Sequence, residues 1–191
     1  SGPMWQVSAA DAELATELVL QGAVSLPMVE GQQLTQRQLL EAALVPSSSS
    51  HAFMLATRVF GSVEGYREAA AVWLQREGLF RTVVVDPAGG SRVTRSTPAD
   101  LLTIGHRAIE HPVIAEIVTQ SAVEVPLSGQ VSSTNPLLDE PDVEGIKTGT
   151  LLDSAGFGLL FSVAPDARTG VPRTLALVIG AESANDRRGI A

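Results

Sequence analysis

The sequence predicts an α+β fold in which helices come first and an antiparallel sheet follows. Up to about residue 120, apolar residues recur three and four apart between start and stop signals, the spacing of one helix face. Beyond that point the spacing changes to alternation, as along strands with one buried face. With 45% apolar and 18% charged residues, 191 residues can bury a core. At 4% aromatic, that core must be built from Leu, Val, Ile and Ala.

The first helix is expected from a Ser8 cap to Leu20, with Leu14 and Leu18 one turn apart and Gly22 ending it. Thr35, Gln36, Arg37 and Gln38 form a capping box; Leu39, Leu40, Ala43 and Leu44 follow until Pro46 stops the helix. A run of four serines, residues 47–50, leads into Phe53, Met54, Leu55, Val59 and Phe60, closed by Gly61. The next helix covers residues 62–77, with Tyr66, Ala69, Ala70, Trp73 and Leu74 as its apolar stripe and Gly78 as its stop. Residues 82–85 are a short strand or extended connector, and residues 86–90 a turn. Thr97, Pro98 and Asp100 supply a cap, a proline in the first turn and an acid at the third position of a helix reaching His111. Pro112 opens a shorter one through Val118.

Strands are expected at residues 122–127, 155–164 and 174–179, the last two paired across a proline-bounded connection. Residues 145–150 sit on a further strand. A sheet of three or four strands is small, and residues 183–186 read as the beginning of a helix. The expectation is one partial domain over residues 1–191, helical over about 7–120 and sheet-forming over about 121–181.

The formal charge of -8 repels phosphate backbones, and no basic run with interleaved aromatics offsets it, so nucleic acid is not the expected partner. The absence of cysteine excludes disulfides and thiolate metal sites. No apolar run reaches membrane-spanning length, and no secretory leader opens the sequence.

Two segments carry chemistry. Lys147, Thr148 and Gly149 on a strand would offer an ammonium and a hydroxyl to a carboxylate, while a glycine admits a ligand or another backbone. Lys147 is the only lysine among 13 basic residues, and a compact ammonium does what a planar guanidinium cannot. A hundred residues upstream, Pro46 and residues 47–50 form a turn between two helices, a device for presenting a hydroxyl; a capping cluster is the plainer use of four serines.

Together these segments resemble the low-molecular-weight penicillin-binding proteins, the serine-type D-alanyl-D-alanine carboxypeptidases, whose motifs are Ser-x-x-Lys, Ser-x-Asn and Lys-Thr-Gly. Residues 31–35 and 39–47 resemble the approach to the second motif. Residues 86–89, 96–101 and 134–138 follow in family order, and residues 145–150 with 153–156 resemble the third motif and its turn. The resemblance runs from about Val7 to Ala181. It implies a β-lactamase/transpeptidase-like fold, an antiparallel sheet flanked by helices, with the N-terminal segment and the C-terminal helix lacking here.

By position, the resemblance makes Ser47 the second-motif serine, which relays protons between nucleophile and leaving group. Lys147 sets the electrostatics around Ser47 and, with Thr148, holds the substrate carboxylate. The Thr150 N–H is one arm of an oxyanion hole, Gly149 admits the substrate, and Ser49 stands where the family has its substrate-gripping Asn. The implied substrate is a peptidoglycan stem peptide ending in D-Ala-D-Ala, with β-lactams as inhibitors, no metal or organic cofactor, and an extracytoplasmic, cell-envelope location.

The sequence departs from the family in two ways. Ser49 has a hydroxyl but no amide. Ser-x-x-Lys is missing, because Glu144 stands three residues before the only lysine. The nucleophile is therefore expected upstream of Ser1. The alternative is a cell-wall-binding pseudoenzyme of the same fold, which Ser49 favours; a β-lactamase shares the motifs but not the segments around Asp86 and Thr134. A Ser50–His51–Asp triad is disfavoured because adjacent residues seldom orient so. His106 and His111 are expected to be structural, and Asp139, Glu140, Asp142 and Glu144 to lie in a solvated connector.

Overall fold

A computed structural model describes residues 2–151 and 155–190. The helical part opens with two three-residue strands, β1 (Met4–Gln6) and β2 (Gln33–Thr35), paired antiparallel around helix α1 (Ala9–Leu20). They went unforeseen because three residues are too few to show a period. Ser8 caps α1 in a capping box with Asp11, whose carboxylate also pairs with Arg58. Helix α2 (Gln36–Leu44) begins at the expected Thr35–Gln38 box. Helix α3 (Ser49–Phe60) ends at Gly61, whose φ of 81° is left-handed and suits glycine. Val7, Ala15, Leu34, Leu39 and Met54 close one core among these elements.

Helix α4 (Val63–Arg76) follows. Its stripe is only partly used: Leu74 is buried, but Trp73 keeps 38% of its surface. The connector at residues 82–85 makes a single bridge, Val83 to Arg95, and the Asp86 carboxylate accepts from the N–H groups of Ala88, Gly90 and Ser91 to form the expected turn. Helices α5 (Pro98–Glu110) and α6 (Pro112–Val118) meet at His111.

The stretch from residue 121 onward is not one sheet. Strands β3 (Ala122–Val125) and β4 (Gly129–Ser132) form a separate hairpin, whose Val123 and Val125 join Ala42, Val45 and Ile117 in a second core. The three-stranded antiparallel sheet is β5 (Val143–Leu151), β6 (Gly156–Val163) and β7 (Thr174–Ala181), in that order. In β6, Leu159 and Phe161 are buried as the alternation requires. The helix start at Ser183 is realised as α7 (Ala184–Ile190), lying against β6 and β7. Of the third-motif turn, residues 153 and 154 lie outside the described residues.

Two glycines let helices seat on this sheet. A Cβ on Gly105 of α5 would meet Leu160 Cδ2 at 2.7 Å, and one on Gly145 of β5 would meet the Val118 carbonyl at 2.3 Å. Both contacts are closer than any side chain permits, so α5 packs on β6 and the end of α6 docks on β5. That docking carries Lys147 to the helical part.

Candidate active site

Ser47 lies between α2 and α3 with φ of 66°, a left-handed conformation that costs a β-carbon-bearing residue about 1–2 kcal/mol. Bonds on either side hold it there: Ser48 N–H donates to Ala42 O (2.9 Å), Ser49 N–H to Val24 O (2.8 Å), and Thr134 N–H to Val45 O (3.1 Å). Strain maintained by its surroundings marks a position where side-chain direction matters. Here the direction is toward β5. The Lys147 ammonium donates to Ser47 Oγ at 2.5 Å and to Thr148 O at 3.0 Å. Two residues a hundred positions apart thus share one hydrogen bond.

Burial lowers the Lys147 pKa from 10.5 to about 8, with the nearby Arg187 guanidinium contributing. Arg187 itself, on α7, is buried; it donates to Gly158 O at 3.4 Å and lies 5.9 Å from the Phe157 ring centre. Two cations on neighbouring elements make a site suited to an anion. Sequence reasoning missed Arg187, because an arginine in the first turns of a short helix carries no local signal; only the fold brings α7 against β6 and β7.

Thr148 is buried, and its hydroxyl contacts Thr134 Oγ1 at 2.6 Å rather than standing open. Thr134 also reaches Val45 O, so a second strut runs beside the Ser47–Lys147 contact and fixes the two motifs in register. Thr134 was recognised only as part of a family segment, not for this role. Gly149 and Thr150 are exposed on the strand, and a Cβ on Gly149 would meet no atom within 4 Å, leaving space in front of the strand. Ser49 is the half-buried first residue of α3.

The serine run is not a capping cluster. Ser48 occupies the N-cap of α3 but makes no cap bond with its hydroxyl. That hydroxyl lies 2.8 Å from His51 Nδ1 and 3.1 Å from Ser50 Oγ, and it accepts from Leu26 N–H at 3.0 Å. Ser50 donates to Leu26 O at 3.1 Å. Both serines and His51 are fully enclosed, so Ser50 and His51 do not form an accessible triad.

The remaining candidates are structural. His106 faces Glu110 at 3.3 Å on the surface of α5. Glu144 pairs with Arg173 at 2.9 Å, and Glu140 with Arg188 at 3.4 Å. Among the described residues no group of His, Asp or Glu could hold a metal ion, and no helix is long and apolar enough to cross a membrane.

Comparison with known proteins bears on this arrangement. The family model described as D-alanyl-D-alanine carboxypeptidase, Peptidase_S11, matches residues 4–183. Among solved structures, the Streptomyces K15 DD-transpeptidase superposes with a TM-score of 0.86 at 22% identity, over 98% of this chain and 75% of that one. Penicillin-binding protein D2 from Listeria monocytogenes, in its ampicillin-bound form, gives 0.74 at 21% identity, over 98% and 84%. Penicillin-binding protein 6B from Escherichia coli gives 0.77 at 20%, over 98% and 68%. No curated protein matches in sequence.

Proposed function

The chain belongs to the D-alanyl-D-alanine carboxypeptidase family Peptidase_S11, and from that premise we propose that Ser47 and Lys147 are two of the catalytic groups of a serine DD-peptidase whose nucleophile is supplied by residues before Ser1. The observation that carries the reading is the 2.5 Å contact between Lys147 Nζ and Ser47 Oγ, with a second cation, Arg187, nearby.

The chemistry follows from proton inventories. A pKa of about 8 leaves Lys147 roughly ten-to-one charged at pH 7. An ammonium has no lone pair, so at this contact it can only donate. Ser47 then accepts from Lys147 and keeps its own proton free for another acceptor. In the proposed reaction an upstream serine oxygen attacks the carbonyl of the penultimate D-alanine, and the peptide bond breaks. Ser47 gives its proton to the departing D-alanine nitrogen and is reprotonated by the base that took the nucleophile's proton. Lys147 remains charged and, with Arg187, holds the substrate's terminal carboxylate. Gly149 and Thr150 line the side along which the peptide lies, with the Thr150 N–H directed at the developing oxyanion. β-Lactams enter as mimics of the D-Ala-D-Ala terminus, and the setting is the cell envelope.

Fluorescent penicillin tests the proposal. The complete protein should become covalently labelled, with a Ser-x-x-Lys encoded shortly before Ser1, while residues 1–191 alone stay unlabelled. Labelling of residues 1–191 would place the nucleophile within them and overturn the assignment. Ser49, which lacks the family's amide, favours a second reading, a non-catalytic cell-wall binder. That reading predicts a complete protein that sediments with peptidoglycan and never becomes labelled.

A further inference from the structure

The enclosed cluster of Ser48, Ser50 and His51 has no part in the chemistry above, yet it adjoins Ser47. Its protons can be counted. Leu26 O can only accept, so the 3.1 Å contact from Ser50 uses the single hydroxyl proton of Ser50. The 3.1 Å contact between Ser48 and Ser50 must then take its proton from Ser48. With both hydroxyl protons spent, the contacts of His51 Nδ1 to Ser48 Oγ at 2.8 Å and to Ser50 Oγ at 3.3 Å have one remaining source, the imidazole N–H, which points mainly at the nearer Ser48.

His51 is therefore the Nδ1–H tautomer. Ser48 Oγ accepts from His51 and from Leu26 N–H, filling both lone pairs, and Ser50 accepts from Ser48. The other tautomer would leave two hydroxyl oxygens 3.1 Å apart with no proton between them. It would also bury an Nε2–H without a partner, since His51 Nε2 has none among the described residues.

We infer that His51 is a positioning residue for Ser47: as a neutral Nδ1–H donor it clamps Ser48 to Leu26, and so holds the adjoining left-handed Ser47 with its hydroxyl on Lys147. The inference rests on reading Ser47 as the proton relay. Ser48 is the first residue after the strained one, and its backbone and side chain are both tied, to Ala42 O and to the Leu26 cluster. If the clamp is released, only the backbone bonds of Ser48 to Ala42 O and of Ser49 to Val24 O, among those described next to Ser47 on the α3 side, still oppose its relaxation.

Two measurements on residues 1–191 test this without any activity, so their outcome is separate from that of the peptidase reading. With 15N-labelled histidine, long-range proton–nitrogen correlations should show His51 Nδ1 as pyrrole-like and Nε2 as pyridine-like; the reverse pattern overturns the inference. Because Lys147 is the only lysine, 13C-lysine labelling gives a single Cε signal that titrates with Lys147. The groups next to that ammonium are Ser47 and, from α7, Arg187. Replacing His51 by Leu keeps bulk but loses the donor. Water should then reach Lys147 and its midpoint should rise by roughly one unit. His51→Asn, whose amide N–H lies near the Nδ1 position, should restore the parent midpoint. Equal midpoints for the Leu and Asn variants sink the positioning role. Should His51→Leu not fold, Ser48→Ala removes the same link and must produce the same rise; an unchanged midpoint is equally fatal.

Discussion

The α-carbon of Gly145 faces the carbonyl of Val118 so closely that an added Cβ would sit 2.3 Å from the oxygen. This is the seam between the end of α6 and β5, two residues before Lys147. Gly145→Ala should cost about 1–3 kcal/mol in urea unfolding. It should also shift the Lys147 titration, because the strand must back away from Ser47. Gly149→Ala provides the contrast. Its Cβ meets nothing, so stability should change by less than about 0.5 kcal/mol, while penicillin acylation of the complete protein slows because the methyl intrudes where the ligand lies. Equal stability losses at the two positions would contradict this account of the seam.

Lys147→Ala should reduce acylation of the complete protein by penicillin at least about 100-fold, the scale on which a preorganised charge acts in a shielded site. Lys147→Arg should fare nearly as badly, since a planar fork cannot occupy the space of an ammonium 2.5 Å from Ser47. Stopped-flow acylation rates decide this. An arginine variant at the parent rate would reduce Lys147 to a generic positive charge.

Much of this arrangement was legible before the fold, and the parts that were not have physical reasons. Caps at Ser8, Thr35 and Thr97 announce their helices because a capping bond is local, spanning three residues. Ser47 and Lys147 were identified from the residues flanking each motif and from the rarity of lysine. Thr134 and Arg187 were not, because each acts through partners distant in sequence: Thr134 between Val45 and Thr148, Arg187 beside Lys147. The partners of the buried serines in the run were hidden for the same reason. Serine before a helix ordinarily caps it, whereas the Ser48 hydroxyl turns to Leu26, 22 residues earlier. The strand at residues 122–127 was assigned to the main sheet, and its partner β4 went unforeseen, because alternation reports a half-buried strand without naming its partner.

His51 gives the stability a defined acid limb. Burial lowers its folded pKa to about 4 from 6.5, so between those values the unfolded chain binds the extra proton. Stability should be fully present above about pH 6.5, decline as pH falls toward 4, and lose nothing further from this group below that. The limb is distinguishable from that of Asp11, whose pKa is lowered from 3.8 and whose contribution fades only in more acidic solution. Urea midpoints from pH 7.5 to 4 should therefore slope in the parent chain and flatten over this interval in His51→Asn. A parent curve that is level from 6.5 to 4 would mean that His51 is not enclosed as described.

The left-handed φ of 66° at Ser47 predicts a conflict between stability and function. Ser47→Ala and Ser47→Gly both remove the hydroxyl that accepts from Lys147, so neither should support acyl transfer in the complete protein. They differ only in whether a Cβ must be carried at positive φ. The glycine variant should be the more stable by about 1 kcal/mol, after its larger loss of chain entropy offsets part of the 1–2 kcal/mol of relieved strain. Urea unfolding of the two variants of residues 1–191 measures the difference directly. An alanine variant as stable as the glycine variant would show that the loop relaxes once the Lys147 contact is gone. The strain would then come from the hydrogen bond itself and not from the bonds that pin Val45, Ser48 and Ser49.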